Sequence, residues 1–203
     1  MNKKEKTEQI IELEWEMFQN VENIGGRASC QDDFETFYIM RKSQYDNWTE
    51  EMTDKYLAFA IKSKNDGRNL ISEKYARMMA YTDLHYFNKH LKDYLPFVPA
   101  ENFRIINQIV DRLIFWEEEM AVRYPKLAGT ARPIRSSEDK NGFTSMETYA
   151  RGELETYPKE LLLLYKDYVD KLWDDGISLS QKNLNSMVQM YGYDNIEEAE
   201  KAL

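Results

Sequence analysis

Two glutamates stand where a helix would bury apolar side chains. Glu14 follows Ile10 by four residues and precedes Met17 by three and Val21 by seven, and Glu117 holds the same place between Leu113 and Met120. At those spacings the side chains share one helical face. A carboxylate on such a face is either paired or set at a cavity, because unpaired burial is strongly unfavourable. One reading is a pair of equivalent carboxylates in a pocket, able to bind a cation or to serve as general acid and base. The other is two structural ion pairs with arginines, the commoner fate of an inward charge. Arg41 suits either reading. It lies four residues after Phe37 and four before Tyr45, and its guanidinium can grip the carboxylate of Glu14 or of a ligand bidentately. Arg151 stands near the corresponding place in the second half.

Charge is distributed unevenly between two long loops. Residues 21–33 carry Glu22, Asp32 and Asp33 against Arg27, a net of -2. Residues 124–143 carry Lys126, Arg132, Arg135 and Lys140 against Glu138 and Asp139, a net of +2. Binding residues concentrate on loops held by a scaffold. The opposite signs lead us to expect a shared polar cleft bounded by residues 25–33 and 132–139. Arg27, Asp32, Arg132, Arg135 and Asp139 would form its rim, and Glu14, Arg41 and Glu117 its floor. Gly25-Gly26 fits an ordinary turn, since no P-loop spacing accompanies it. Cys30 has Asp32 and Asp33 close by, which oppose a thiolate, so a small buried residue is expected there. His85 and His90 are five residues apart, roughly 140° around a helix, and form no two-histidine metal face. No Glu-x-x-His pair occurs, and the ten methionines read as core filler. We expect no metal and no cofactor.

The elements that must position these groups are helical. Apolar residues recur at three- and four-residue spacings over residues 7–23, 34–45, 49–66, 70–81, 101–123, 144–156, 158–175, 178–190 and 194–203, with a further short helix capped by Asp83. Asp32 or Asp33, Asn47 or Thr49, and Asp83 are the expected N-caps, and Gly67 the expected stop. Residues 124–143 read as a polar loop, and no strand pattern is present. The halves match one another. Tyr56 and Tyr165, Gly67 and Gly176, Leu70 and Leu179, and Met78 and Met187 are all 109 apart, and Ile10, Ile11, Glu14 and Met17 meet Leu113, Ile114, Glu117 and Met120 at 103. Loops absorb such changes of spacing. We expect a single all-α domain over residues 1–203, built of two tandem repeats of four to five helices (residues 7–92 and 101–203, with a linker over 93–100) about a pseudo-twofold axis.

Composition removes several functions. With Lys plus Arg at 27 against 36 acids, the net charge of -9 argues against nucleic-acid binding. Mean hydropathy is -0.71, and no run of 18 apolar residues reaches membrane-spanning length. The opening MNKKEKTEQ holds no apolar leader, and a single cysteine suits a reducing compartment, so a cytoplasmic protein is expected.

Several stretches also carry a resemblance. EWEMF from Glu14, GGRASCQDD from Gly25, FYIMRKSQ from Phe37, GRNLISEKYARMM from Gly67, YPKLAG from Tyr124, RPIRSSED from Arg132 and TSMETYARGELETY from Thr144 resemble the bacterial domain of unknown function numbered 4125. The resemblance spans nearly the whole chain and departs around residues 83–99. It implies a bacterial, cytoplasmic protein, typically of gut anaerobes, and supplies no activity. Three functions therefore stand open. The first is a binding module holding a small charged molecule or peptide in the cleft. The second is an enzyme using Glu14 or Glu117 as general acid or base on an anionic substrate. The third is a ligand-free adaptor with a protein partner.

Overall fold

The computed structural model describes residues 1–23, 25–140 and 143–203. Ile24 in the first loop, and Asn141 and Gly142 in the second, lie outside the described residues. Among the described residues the chain is all-helical: α1 (Lys3–Gln19), α2 (Phe34–Tyr45), α3 (Glu50–Asn65), α4 (Leu70–Thr82), α5 (Leu84–Tyr86), α6 (Ala100–Arg123), α7 (Pro125–Thr130), α8 (Met146–Leu154), α9 (Lys159–Asp174), α10 (Leu179–Met190) and α11 (Ile196–Ala202). A lone antiparallel bridge joins Lys140 and Phe143.

Caps account for the boundaries. The Asn2 side chain accepts from the Glu5 N–H while Glu5 accepts from the Asn2 N–H, a reciprocal box that starts α1 at Lys3, ahead of the expected Thr7. Asp33 and Thr49 cap α2 and α3. Gly67 and Gly176 follow α3 and α9 with φ of 75° and 68°, a left-handed conformation that a Cβ disfavours. The next amides, of Arg68 and Ile177, each donate at 2.8 Å to the carbonyls of Ser63 and Leu172, closing both helices in the same way. The polar loop expected over residues 124–143 needs correction, because it contains α7. Pro125 sits in the first turn, where its missing N–H is no loss. The Glu200 carboxylate of α11 accepts from the Lys126 and Leu127 amides at 3.0 and 2.9 Å. That cap comes from 73 and 74 residues away, so no local pattern announces it.

The contacts of the chain group into two compact units, Met1–Ser72 and Glu73–Leu203. In the first, α1 packs on α2 and α3 over Ile10, Ile11, Met17, Tyr45, Met52, Tyr56 and Ala60. In the second, α6 is the central helix and touches α7, α8, α9 and α10. Ile106, Ile109, Val110, Ile114, Leu161, Leu162, Val169 and Leu179 fill that core. Gly152 on α8 lets the C-terminal turns of α4 approach closely: a Cβ there would fall 2.6 Å from Met78 Cγ and 2.9 Å from the Lys74 carbonyl oxygen.

Candidate functional site

The first unit is organised around Glu14, which is fully buried. Its position on α1 aims it between α2 and α3. Arg41 Nε donates to Oε2 at 2.7 Å, and Arg41 Nη2 donates to Oε1 at 2.6 Å. The Tyr45 and Tyr56 hydroxyls donate to the same Oε1 at 2.7 and 2.5 Å. Arg41 Nη2 also donates to the Tyr45 hydroxyl, and Nη1 reaches Gln44 Oε1 at 3.1 Å. Four donors on one carboxylate hold it in place. Such a group is a strut or an anchor, because each of its oxygens is already engaged by donors from neighbouring helices.

The second unit holds two buried ion pairs along the α4–α8 contact. Lys74, 3% exposed, pairs with Glu153, whose other oxygen accepts from the Tyr157 hydroxyl at 2.9 Å. Arg77 Nη1 lies 3.7 Å from Glu155, and the Tyr81 hydroxyl donates to Glu155 at 2.5 Å. Burial pushes the Glu155 carboxyl above its ordinary range, against the pull of Tyr81 and Arg77. Burial and the neighbouring Glu155 push the Tyr81 hydroxyl upward too. The Tyr149 ring is faced by two cations, Lys74 Nζ at 3.5 Å and the Arg132 guanidinium carbon at 5.1 Å, both within cation–π range. Arg151 donates to Glu147 and to Asn107. Burial raises the Glu147 carboxyl, but the Ser136 amide and Arg151 outweigh it and hold it below its usual value.

The sequence candidates divide by what they touch. Glu14 and Arg41 are brought together. Arg27 pairs with Asp32, donating from Nε at 2.9 Å and Nη2 at 2.7 Å. Arg135 forks onto Glu118 at 2.6 and 2.8 Å. Asp139 accepts from the Ser145 amide and the Thr148 hydroxyl, which fastens its loop to the start of α8. Arg132 is exposed and donates to the Thr144 carbonyl at 3.2 Å. Among the described residues no carboxylate lies against it. Glu117 differs from its expected twin: it is half-buried, and its neighbour is the Ser180 hydroxyl in the first turn of α10. Burial raises its carboxyl above the ordinary value, with Ser180 opposing. Arg151 does not take the place of Arg41. At the spacing of 109, Arg41 meets Ala150, and one residue further turns the side chain about 100° around the helix. Cys30, expected buried, is exposed, because the short 3-10 turn Ser29–Asp32 directs its neighbour Gln31 inward instead.

A family model described as Protein of unknown function (DUF4125) matches residues 4–201. The chain belongs to that family. No curated protein and no solved structure matches it. Four of the seven stretches by which the chain resembles DUF4125 proteins furnish the buried network residues: EWEMF supplies Glu14, FYIMRKSQ supplies Arg41, GRNLISEKYARMM supplies Lys74 and Arg77, and TSMETYARGELETY supplies Glu153, Glu155 and Tyr157. The residues of the second-unit network were not singled out from sequence. One signal was available: Lys74 stands three residues after Ile71 and four before Met78, inside an apolar stripe as Glu14 is. Among the described residues no group of His, Cys, Asp or Glu could hold a metal ion, and no helix is long and apolar enough to cross a membrane.

Proposed function

We propose that this DUF4125 protein is a binding module for a small anionic molecule, and that Arg132 receives the anion. The observation carrying this reading is that Arg132 lacks a carboxylate partner among the described residues, while Arg27, Arg41 and Arg135 each have one. The exposed Arg132 guanidinium rests on the Tyr149 ring, which also contacts the buried, Glu153-paired Lys74, so a cation and an aromatic ring are held together at the surface. A carboxylate or phosphate group matches the planar fork of an exposed guanidinium. The buried pairs behind it, Lys74–Glu153 and Arg77–Glu155, act as supports that hold Tyr149 and α8 in register. Mass spectrometry of the native protein should find a co-purifying anion. Calorimetric titration with small carboxylates and phosphates should give binding that Arg132→Gln abolishes while leaving the melting temperature within about 1 °C, since exposed charges contribute little to stability. Equal binding by the variant would refute the assignment.

The acid–base alternative rests on Glu117, whose carboxyl is raised by burial and has no arginine partner among the described residues. Turnover in a substrate screen, lost in Glu117→Gln and kept in Arg132→Gln, would favour it over the binding reading. We further propose that the chain arose by duplication. Helices α3 and α9 are each 16 residues long and 109 apart at both ends, and both close on a left-handed glycine. Superposing α1–α3 on α6, α8 and α9 in an experimental structure tests it, and unrelated crossing angles within the two sets would overturn it. A cytoplasmic location is part of the same proposal and agrees with the single cysteine.

A further inference from the structure

We propose that residues 83–99 form a self-complementary surface on which a second copy of this chain docks. The stretch contains Leu84, Tyr86, Phe87, Leu91, Tyr94 and Phe97, yet no residue of α5, of the π-turn Phe87–Leu91 or of the 3-10 turn Lys92–Tyr94 is buried. Tyr94 and Phe97 are 86% and 88% exposed, and Leu84 is 59% exposed. Exposed large apolar side chains gathered in one short stretch point to an interaction site. The stretch is also held in place. The Asp83 side chain caps its first turn, Arg77 Nη2 donates to the Pro96 carbonyl at 2.8 Å, and the Tyr86 and His90 rings lie 4.6 Å apart.

Charge selects the occupant. The chain carries -9 overall, so two copies repel at most pairs of surfaces. Residues 83–99 are an exception: Asp83 and Asp93 balance Lys89 and Lys92, and all four are exposed. A neutral patch with both signs can meet its own copy across a twofold axis, lysines against aspartates. An anionic lipid surface would need a net positive stretch, which this one is not. Tyr94 and Phe97 alone present roughly 350 Å² at the usual size of such side chains. Leu84, the part-exposed rings and the charged rim extend this toward the ~800 Å² per partner of a standard interface.

Sedimentation velocity of the full chain over a concentration series in 0.3 M NaCl should show monomers of 24.2 kDa in equilibrium with dimers. Tyr94→Ser with Phe97→Ser should weaken the association at least tenfold, with helicity and melting temperature unchanged because both side chains are exposed. Val122→Ser, at an apolar position 85% exposed elsewhere, should leave it intact. A chain that stays monomeric to millimolar concentration, or a dimer indifferent to the double substitution, would overturn the proposal. So would a monomer whose exposed stretch is occupied by a different protein.

Discussion

At Glu14 the balance between pairing and desolvation decides what the residue can do. Removing one partner of a buried ion pair costs about 3–5 kcal/mol, whereas replacing both with apolar side chains is often close to neutral. Arg41→Ala should therefore lower the unfolding free energy by about 3–5 kcal/mol in urea titration, and Glu14→Met with Arg41→Met should recover a large part of that loss. Tyr56→Phe, which deletes a single hydroxyl donor to a charged group, should cost about 1.5–3 kcal/mol. Glu117 behaves in the opposite way. Its folded-state carboxyl is raised above the ordinary 4.5, so the folded protein keeps the proton to higher pH than the unfolded chain does. Its contribution is then most favourable at acid pH and is lost as pH rises from about 4.5 through the raised value. Glu117→Gln should flatten that part of the stability profile and raise the melting temperature at pH 7, as thermal scans across pH 4–8 would register.

Helices here are set by their ends and by how closely they approach. The matching glycine stops of α3 and α9 have open space around them, so substitution acts through backbone conformation alone. Gly67→Ala and Gly176→Ala should each cost roughly 1–2 kcal/mol, and near-equal values from denaturant titration would agree with two copies of one design. Gly152 is a different case, because the added Cβ would strike a backbone carbonyl of α4 as well as Met78. Gly152→Ala should destabilise by about 1–3 kcal/mol. Combining it with Met78→Ala should not restore stability, since the Lys74 carbonyl clash remains.

For the molecule as a whole, the net charge separates the two kinds of association proposed above. Salt screens the mutual repulsion of chains carrying -9 and leaves apolar contact in place, so dimerisation through residues 83–99 should strengthen from 50 to 500 mM NaCl. Anion capture by the exposed Arg132 should weaken over the same range. Sedimentation and calorimetry in parallel would show the opposite slopes, and a shared slope would mean that one of the two interactions is misassigned.

The helical class, most helix starts, the glycine stops and the inward Glu14 were legible in the chain, because spacing, capping and left-handed turns are local physics acting within a few residues. Gly67 read correctly for that reason, and Asp33 and Thr49 are each one of the two caps the chain offered at those places. The capping of α7 by Glu200, the pairing of Lys74 with Glu153, and the divergence of Glu14 from Glu117 were not legible. Each depends on which residue a distant helix presents, and a one-residue offset such as Ala150 to Arg151 redirects a side chain by about 100°. Sequence marked where charge enters the helical faces. Tertiary packing decided which charges meet a partner and which, like Arg132, remain exposed to solvent, because desolvation and pairing act only between groups that the fold has already brought together.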